Sequence, residues 1–166
     1  MIFEPSDSEL SVTLLVLPDC SLMSLAATLD PMRGANRVAG RSLYRWRVVS
    51  PDGSDPVTSA GLKVSAGGPF TAGAQDILIV IGAFHALDHA TPRLLNTLRQ
   101  AARQSRLVIG IEAGSWVLAR AGLLDGRKAT THWEDLEAFA QRFPEVETRS
   151  DRWVRDNAFL TTGGAA

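Results

Sequence analysis

The chain has 166 residues, 45% apolar and 21% charged, with a formal net charge of −1. That length supports one domain with a sizeable core, and the balance is that of an ordinary soluble globular protein. It excludes a global basic field able to hold a polyanion, so any contact with nucleic acid falls to another part of the protein. All but two of the basic residues, Lys63 and Lys128, are arginine, a skew that fits genomic base composition rather than function. The single cysteine, Cys20, allows no intrachain disulfide and suits a reducing compartment, which points to the cytoplasm. The N-terminus is acidic and has no basic stretch leading into an apolar core, so it does not read as a signal peptide. No stretch approaches eighteen uninterrupted apolar residues, so no membrane span is expected.

In chain order, residues 1–10 read as a flexible arm. Ser11–Leu17 is a β-branched apolar run stopped by Pro18 and Asp19, the pattern of a buried strand. Leu22–Arg37 carries apolar residues at helical spacing, with Ser21 as N-cap. Tyr44–Ser50 alternates as a strand does, and the turn-rich Pro51–Pro56 follows. Val57–Ser65 is expected to form a small hairpin or strand pair around Gly61. Asp76–Ile81 is a second strong strand, ended by Gly82. Pro92–Gln104 is a helix with Thr91 as N-cap and proline in its first turn. Arg106–Ile111 is the third buried strand. Ser115–Ala121 is helical to Gly122, and Glu134–Phe143 is helical to Pro144. Residues 146–149, 152–155 and 158–161 read as short strands. Strands alternating with helices predict an α/β three-layer sandwich with a mostly parallel, doubly wound, flavodoxin-like sheet. The chain stops on a glycine-rich turn after a strand that such a fold covers with another helix, so the natural protein is expected to continue.

The chemistry centres on Gly110-Ile111-Glu112-Ala113-Gly114. Two glycines flanking one residue between a strand and a helix give the spacing of a nucleophile elbow, in which the middle side chain stands above the sheet. Enzymes place serine or cysteine there, and this chain places Glu112. A carboxylate is tolerated near a helix N-terminus but does not attack a carbonyl as a thiolate does. His132 is a base candidate with no cysteine or serine at the elbow to activate, and a pocket-lining or structural role competes. His85 and His89 lie four apart on a possible helix face without further ligands, so a solvated loop is the better reading than a metal site. Cys20 sits at a strand end without a basic neighbour to lower its pKa. Trp116, four residues past Glu112, and Trp133, beside His132, are positioned to reach a pocket. Aromatic walls beside a carboxylate suit a cationic or quaternary ammonium ligand. No phosphate loop, dinucleotide fingerprint or metal-ligand spacing is present, and no cofactor is expected.

Several blocks occur in one order: Leu14–Pro18, Ser24–Ala26, Asp30–Arg37, Tyr44–Gly53, Gly110–Gly114 and Ala121–Trp133. Together they resemble the ThiJ/PfpI-like, class I glutamine amidotransferase-like domain found at the front of many AraC-type transcriptional regulators. The likeness covers about residues 11–164, and Ala121–Trp133 is its most specific part. It implies a ligand-sensing domain over 11–166, followed in the whole protein by a final helix and a helix-turn-helix DNA-binding region. The enzymatic relatives carry cysteine where this chain has Glu112 and an acidic residue where it has Ser24. His132 is retained, and Gly82-Ala83 match the loop whose backbone amides face the site. The resemblance therefore implies a catalytically inactive pocket for a small metabolite, lined by Glu112, Ala113, Ser115, Trp116, His132 and Trp133, with Ser24 and Gly82-Ala83 around it. It also implies a homodimer that meets DNA only through the helix-turn-helix region, and an effector such as an amino acid, amine or quaternary ammonium compound. The competing readings are an enzyme of the same superfamily (hydrolase, hydratase or deglycase) and a dimerisation scaffold with a vestigial pocket.

Overall fold

The computed structural model describes residues 8–164. Strand β1 (Leu10–Val16) is followed by helix α1 (Leu22–Ala39) and strands β2 (Tyr44–Val49) and β3 (Gln75–Gly82). Helix α2 (Pro92–Arg103), strand β4 (Ser105–Glu112) and helix α3 (Gly114–Arg120) come next. The remainder is β5 (Lys128–Ala129), α4 (Leu136–Arg142), β6 (Glu147–Thr148), β7 (Trp153–Asp156) and β8 (Phe159–Thr162). Six strands form one sheet in the order β2-β1-β3-β4-β8-β7, parallel except for the antiparallel edge strand β7.

The apolar runs become central strands because both of their faces are covered, which leaves no place for polar alternation. Val12, Leu14 and Val16 point to one face with Ile77, Ile79 and Ile81, where Leu25 of α1 packs on them. Leu15, Leu78 and Val80 point to the other, under Leu94 and Leu98 of α2 and Val117 and Leu118 of α3. This is the three-layer sandwich that the alternation of strands and helices predicts.

Helix ends follow their sequence signals. The Ser21 side chain accepts from the Ser24 amide at the start of α1, and Thr91 accepts from the Leu94 amide at the start of α2. Gly40, at φ +63°, ends α1 two residues beyond the expected Arg37. Asn36 then fixes the turn into β2, its Oδ1 accepting from the amides of Leu43 and Tyr44.

The structure corrects three expectations. The arm does not extend through residue 10: Leu10 opens β1 opposite Tyr44, Glu9 pairs with Arg45, and residues 1–7 lie outside the described residues. Residues 57–65 form no strands, because a single bridge, Val57 to Lys63, closes the turn around Gly61. The helix expected over 134–143 is split into a 3-10 turn, Trp133–Asp135, and α4. His85 and His89 lie in the expected loop, His85 before a 3-10 turn (Ala86–His89) with its Nδ1 3.5 Å from Asp19 Oδ2.

Asp76 ties the start of β3 to β1. Its Oδ2 accepts from the Ser11 amide at 2.9 Å and from the Ser11 hydroxyl at 2.8 Å, and Arg106 stands 3.5 Å from Oδ1. The Ser11 amide above all, then its hydroxyl and Arg106, hold the carboxyl below its usual range. A depressed carboxyl favours the folded state above the unfolded pKa of about 3.9, and that contribution fades as pH falls through the folded value. Asp76→Asn is therefore expected to cost about 1–2 kcal/mol at pH 7 and markedly less at pH 2.5. Urea unfolding at both pH values checks this, and an equal cost at both would show that the carboxylate charge is not involved.

Candidate functional site

Strand β4 ends in the elbow, and close packing explains its glycines. A Cβ on Gly114 would lie 2.1 Å from the Val80 carbonyl oxygen, and one on Gly110 would lie 2.8 Å from Leu118 Cδ1. Between them Glu112 takes φ +52°, a left-handed conformation that a side-chain-bearing residue keeps only when its surroundings impose it, at about 1–3 kcal/mol. The surroundings do so through its backbone. Its carbonyl accepts from the Ser115 hydroxyl at 2.6 Å and the Thr131 hydroxyl at 3.3 Å. The next amide, Ala113 N–H, donates to Gly82 O at 3.1 Å.

The Glu112 side chain is 9% exposed. The Ser24 hydroxyl, reaching from the first turn of α1, donates to Glu112 Oε1. Cys20 is buried close by, and burial first, then the charge of Glu112, push its thiol up to about 11. A thiol so placed stays protonated at neutral pH and is a poor nucleophile.

Two clefts open at the carboxyl end of the sheet; Glu112 lines the smaller, and Ser24 and Gly164, which meet its side chain, line the larger. The smaller, about 560 Å³, is lined by Glu112, Ala113, Trp116, His132 and Ala83, together with Phe84, His85 and Asp88. The larger, about 730 Å³, is lined by Ser24, Thr130, Trp133, Trp153 and Gly164, among others. The residues expected to line a single pocket are spread over the two, with Ser24 and Trp133 in the larger and Ala83, Glu112, Ala113, Trp116 and His132 in the smaller. Ser115 and Gly82 line neither cleft: Ser115 is fully buried with its hydroxyl turned back to Glu112 O, and Gly82 accepts the Ala113 amide through its carbonyl. Trp133 is 68% exposed, because the 3-10 turn it opens carries the indole outward. Trp116 lies edge-on to Phe139 at 5.4 Å and to Phe143 at 5.6 Å.

The smaller cleft is acidic. Asp88, Glu112, Glu134 and Asp135 line it, and its only basic side chains are His85 and His132. Each of these histidines faces a carboxylate, Asp19 at 3.5 Å and Glu134 at 3.7 Å. The sequence reading missed Phe84, Asp88 and Asp135 as lining residues, although the 82–89 loop follows a strand at the sheet edge where ligands bind. It also missed Gly164, whose hypothetical Cβ would fall 2.2 Å from Glu112 Cγ. Among the described residues no cluster of three or more His, Cys, Asp or Glu could hold a metal ion. None of their helices is long and apolar enough to cross a membrane.

Residues 11–166 match the family model described as the DJ-1/PfpI family. The chain is 39% identical over 153 residues to the HTH-type transcriptional regulator CdhR of Pseudomonas aeruginosa, covering 90% of this chain and 45% of that protein. It is 39% identical over 158 residues to the HTH-type transcriptional regulator GbdR of the same species, covering 94% of this chain and 43% of that protein. It therefore spans less than half the length of these curated relatives. Among solved structures, an AraC family transcriptional regulator from Pseudomonas putida superposes with a TM-score of 0.79 at 25% identity, covering 93% of this chain and 84% of that one.

Proposed function

The chain belongs to the DJ-1/PfpI family, and we propose that it is the effector-sensing domain of an AraC-type transcriptional regulator, without catalytic activity of its own. The observation that carries this reading is the elbow. A buried carboxylate occupies the position that enzymes give to a nucleophile, and it borders a cleft large enough for a small metabolite. Two further groups are withdrawn from catalysis: the Ala113 amide, the donor an elbow enzyme aims at its oxyanion, is bonded to Gly82 O, and the Cys20 thiol is held protonated.

The effector in this proposal is a cation, an amine or a quaternary ammonium compound. Four carboxylates line the cleft and neither lysine nor arginine does. Phe84 and Trp116 supply aromatic surface beside Glu112, the pairing that holds desolvated cations. The domain acts as a homodimer in the cytoplasm, and contact with DNA belongs to a helix-turn-helix region of the whole protein, since a net charge of −1 releases few counterions.

Calorimetric titration of choline, betaines and polyamines against the wild type and Glu112→Gln tests this reading. Glutamine keeps the shape and reach of the side chain and deletes the charge. The expected loss is about 2–5 kcal/mol, the scale for unpairing a buried charge. A cation that binds both proteins equally would show that Glu112 only fills the elbow.

A further inference from the structure

Glu112 lines the smaller cleft, and what holds its side chain is a hydroxyl and a stretch of backbone that line the larger one. Ser24 Oγ donates to Oε1 from α1. Gly164 rests against the same arm at φ +101°, where a Cβ would fall 2.2 Å from Cγ and 2.4 Å from Oε1. Only a residue without a side chain lets the segment leaving β8 come this close. The Gly163 amide donates to Arg152 O at 3.0 Å, and the Gly164 amide reaches Thr162 Oγ1 at 3.4 Å. Gly163 and Gly164 line the larger cleft, whereas Glu112 lines the smaller one.

We infer that Glu112 couples the smaller cleft to the 162–164 segment: a cation bound there draws the carboxylate off Ser24 and withdraws the surface on which Gly164 rests. The Ser24 hydroxyl holds Oε1 from the side of the larger cleft, and a cation in the smaller cleft, which Glu112 also lines, pulls the carboxylate the other way. A ligand shifts such an equilibrium only by its differential affinity for the two positions, and here the difference is a direct ion pair gained against one charge-assisted hydroxyl bond lost. The coupling is reciprocal, so whatever loosens the carboxylate from Ser24 also tightens cation binding. Ser24 and Gly164 are therefore positioning residues for the carboxylate, and Glu112 touches the ligand. The ligand arm of this inference rests on the cationic reading of the cleft, and the coupling itself does not.

Amide hydrogen exchange, read at Gly163, tests the coupling without any ligand. In Glu112→Ala the Gly163 amide is expected to exchange at least tenfold faster than in the wild type, with the amides of Leu78 and Val80 in the central strand unchanged. Unaltered exchange at Gly163 would overturn the coupling. Gly164→Ala supplies an independent route, since its Cβ collides with the carboxylate arm: it should speed Gly163 exchange more when Glu112 is present than in the Glu112→Ala background, where only the strain of alanine at φ +101° remains. Equal effects in both backgrounds would also overturn it. Saturating choline should reproduce the faster exchange in the wild type and leave Glu112→Gln unaffected. Ser24→Ala should bind choline several-fold tighter, and equal or weaker binding would refute the two-position account. If choline fails to bind the wild type, the cationic reading of the cleft falls, and the ligand-free variants still decide the coupling.

Discussion

Gly114→Ala is expected to destabilise the domain by about 4 kcal/mol or more, or to prevent its folding. The added methyl would sit 2.1 Å from Val80 O and 2.8 Å from Val80 C. Those atoms belong to β3, which is bonded on both sides, to β1 and β4, so the neighbour cannot yield as the end of a flexible side chain would. The alternative is for α3 to lift off the sheet, which uncovers Val117 and Leu118, both fully buried. Gly34→Ala is the matched control. It lies inside α1 with open space where its Cβ would stand, and alanine there should stabilise by about 0.5–1 kcal/mol. Equilibrium denaturation of the two variants gives opposite signs on this account, and a Gly114→Ala domain as stable as the wild type would refute it.

Phe139→Ala is expected to cost about 3–5 kcal/mol. Phe139 is fully buried and is the one buried residue of the seven-residue helix α4. Its ring is 5.2 Å from Phe143 and 5.4 Å from Trp116, in edge-on and tilted contacts that add to the burial itself. Without it α4 loses its one buried side chain, and the Trp116 indole beside the smaller cleft keeps only Phe143 of its two aromatic neighbours. Phe139→Leu should retain most of the stability, at a cost below about 1.5 kcal/mol. Urea unfolding of both variants checks the order, and an alanine variant no weaker than the leucine one would place the anchor of α4 elsewhere.

These two residues mark what a reading of the chain can reach. The central strands were legible because burial on both faces requires unbroken apolar runs, and the helix starts were legible because Ser21 and Thr91 cap through their own side chains. The elbow was legible from its two glycines. The two-residue strand β5 was not, since Lys128-Ala129 carries no pattern and forms only by pairing with Glu147-Thr148. Within the site, adjacency in sequence misled twice. Trp133 follows His132, yet the 3-10 turn sends it to the other cleft. Ser115 lies one turn past Glu112, and its hydroxyl is spent on the Glu112 carbonyl. The close approach of Gly164 to Glu112 was invisible because the contribution of Gly164 is the side chain it lacks.

The strand order also has a kinetic meaning. In the six-stranded sheet only β7 and β8 are neighbours joined by a tight turn, through Asn157 at φ +54°. Every other pairing in that sheet is parallel and must wait for a long crossover to close, which slows folding. The β7–β8 hairpin is free to form early as a local unit, but it joins the sheet only by registering Phe159 on Val108 of β4. Glu112 takes its hydroxyl bonds from Ser24 and Thr131 and its backbone support from Gly164, three segments far apart in the chain. All three are in place only when that hairpin has docked. A chain in which that hairpin has not docked therefore lacks one of the three supports of Glu112, whatever its helix content.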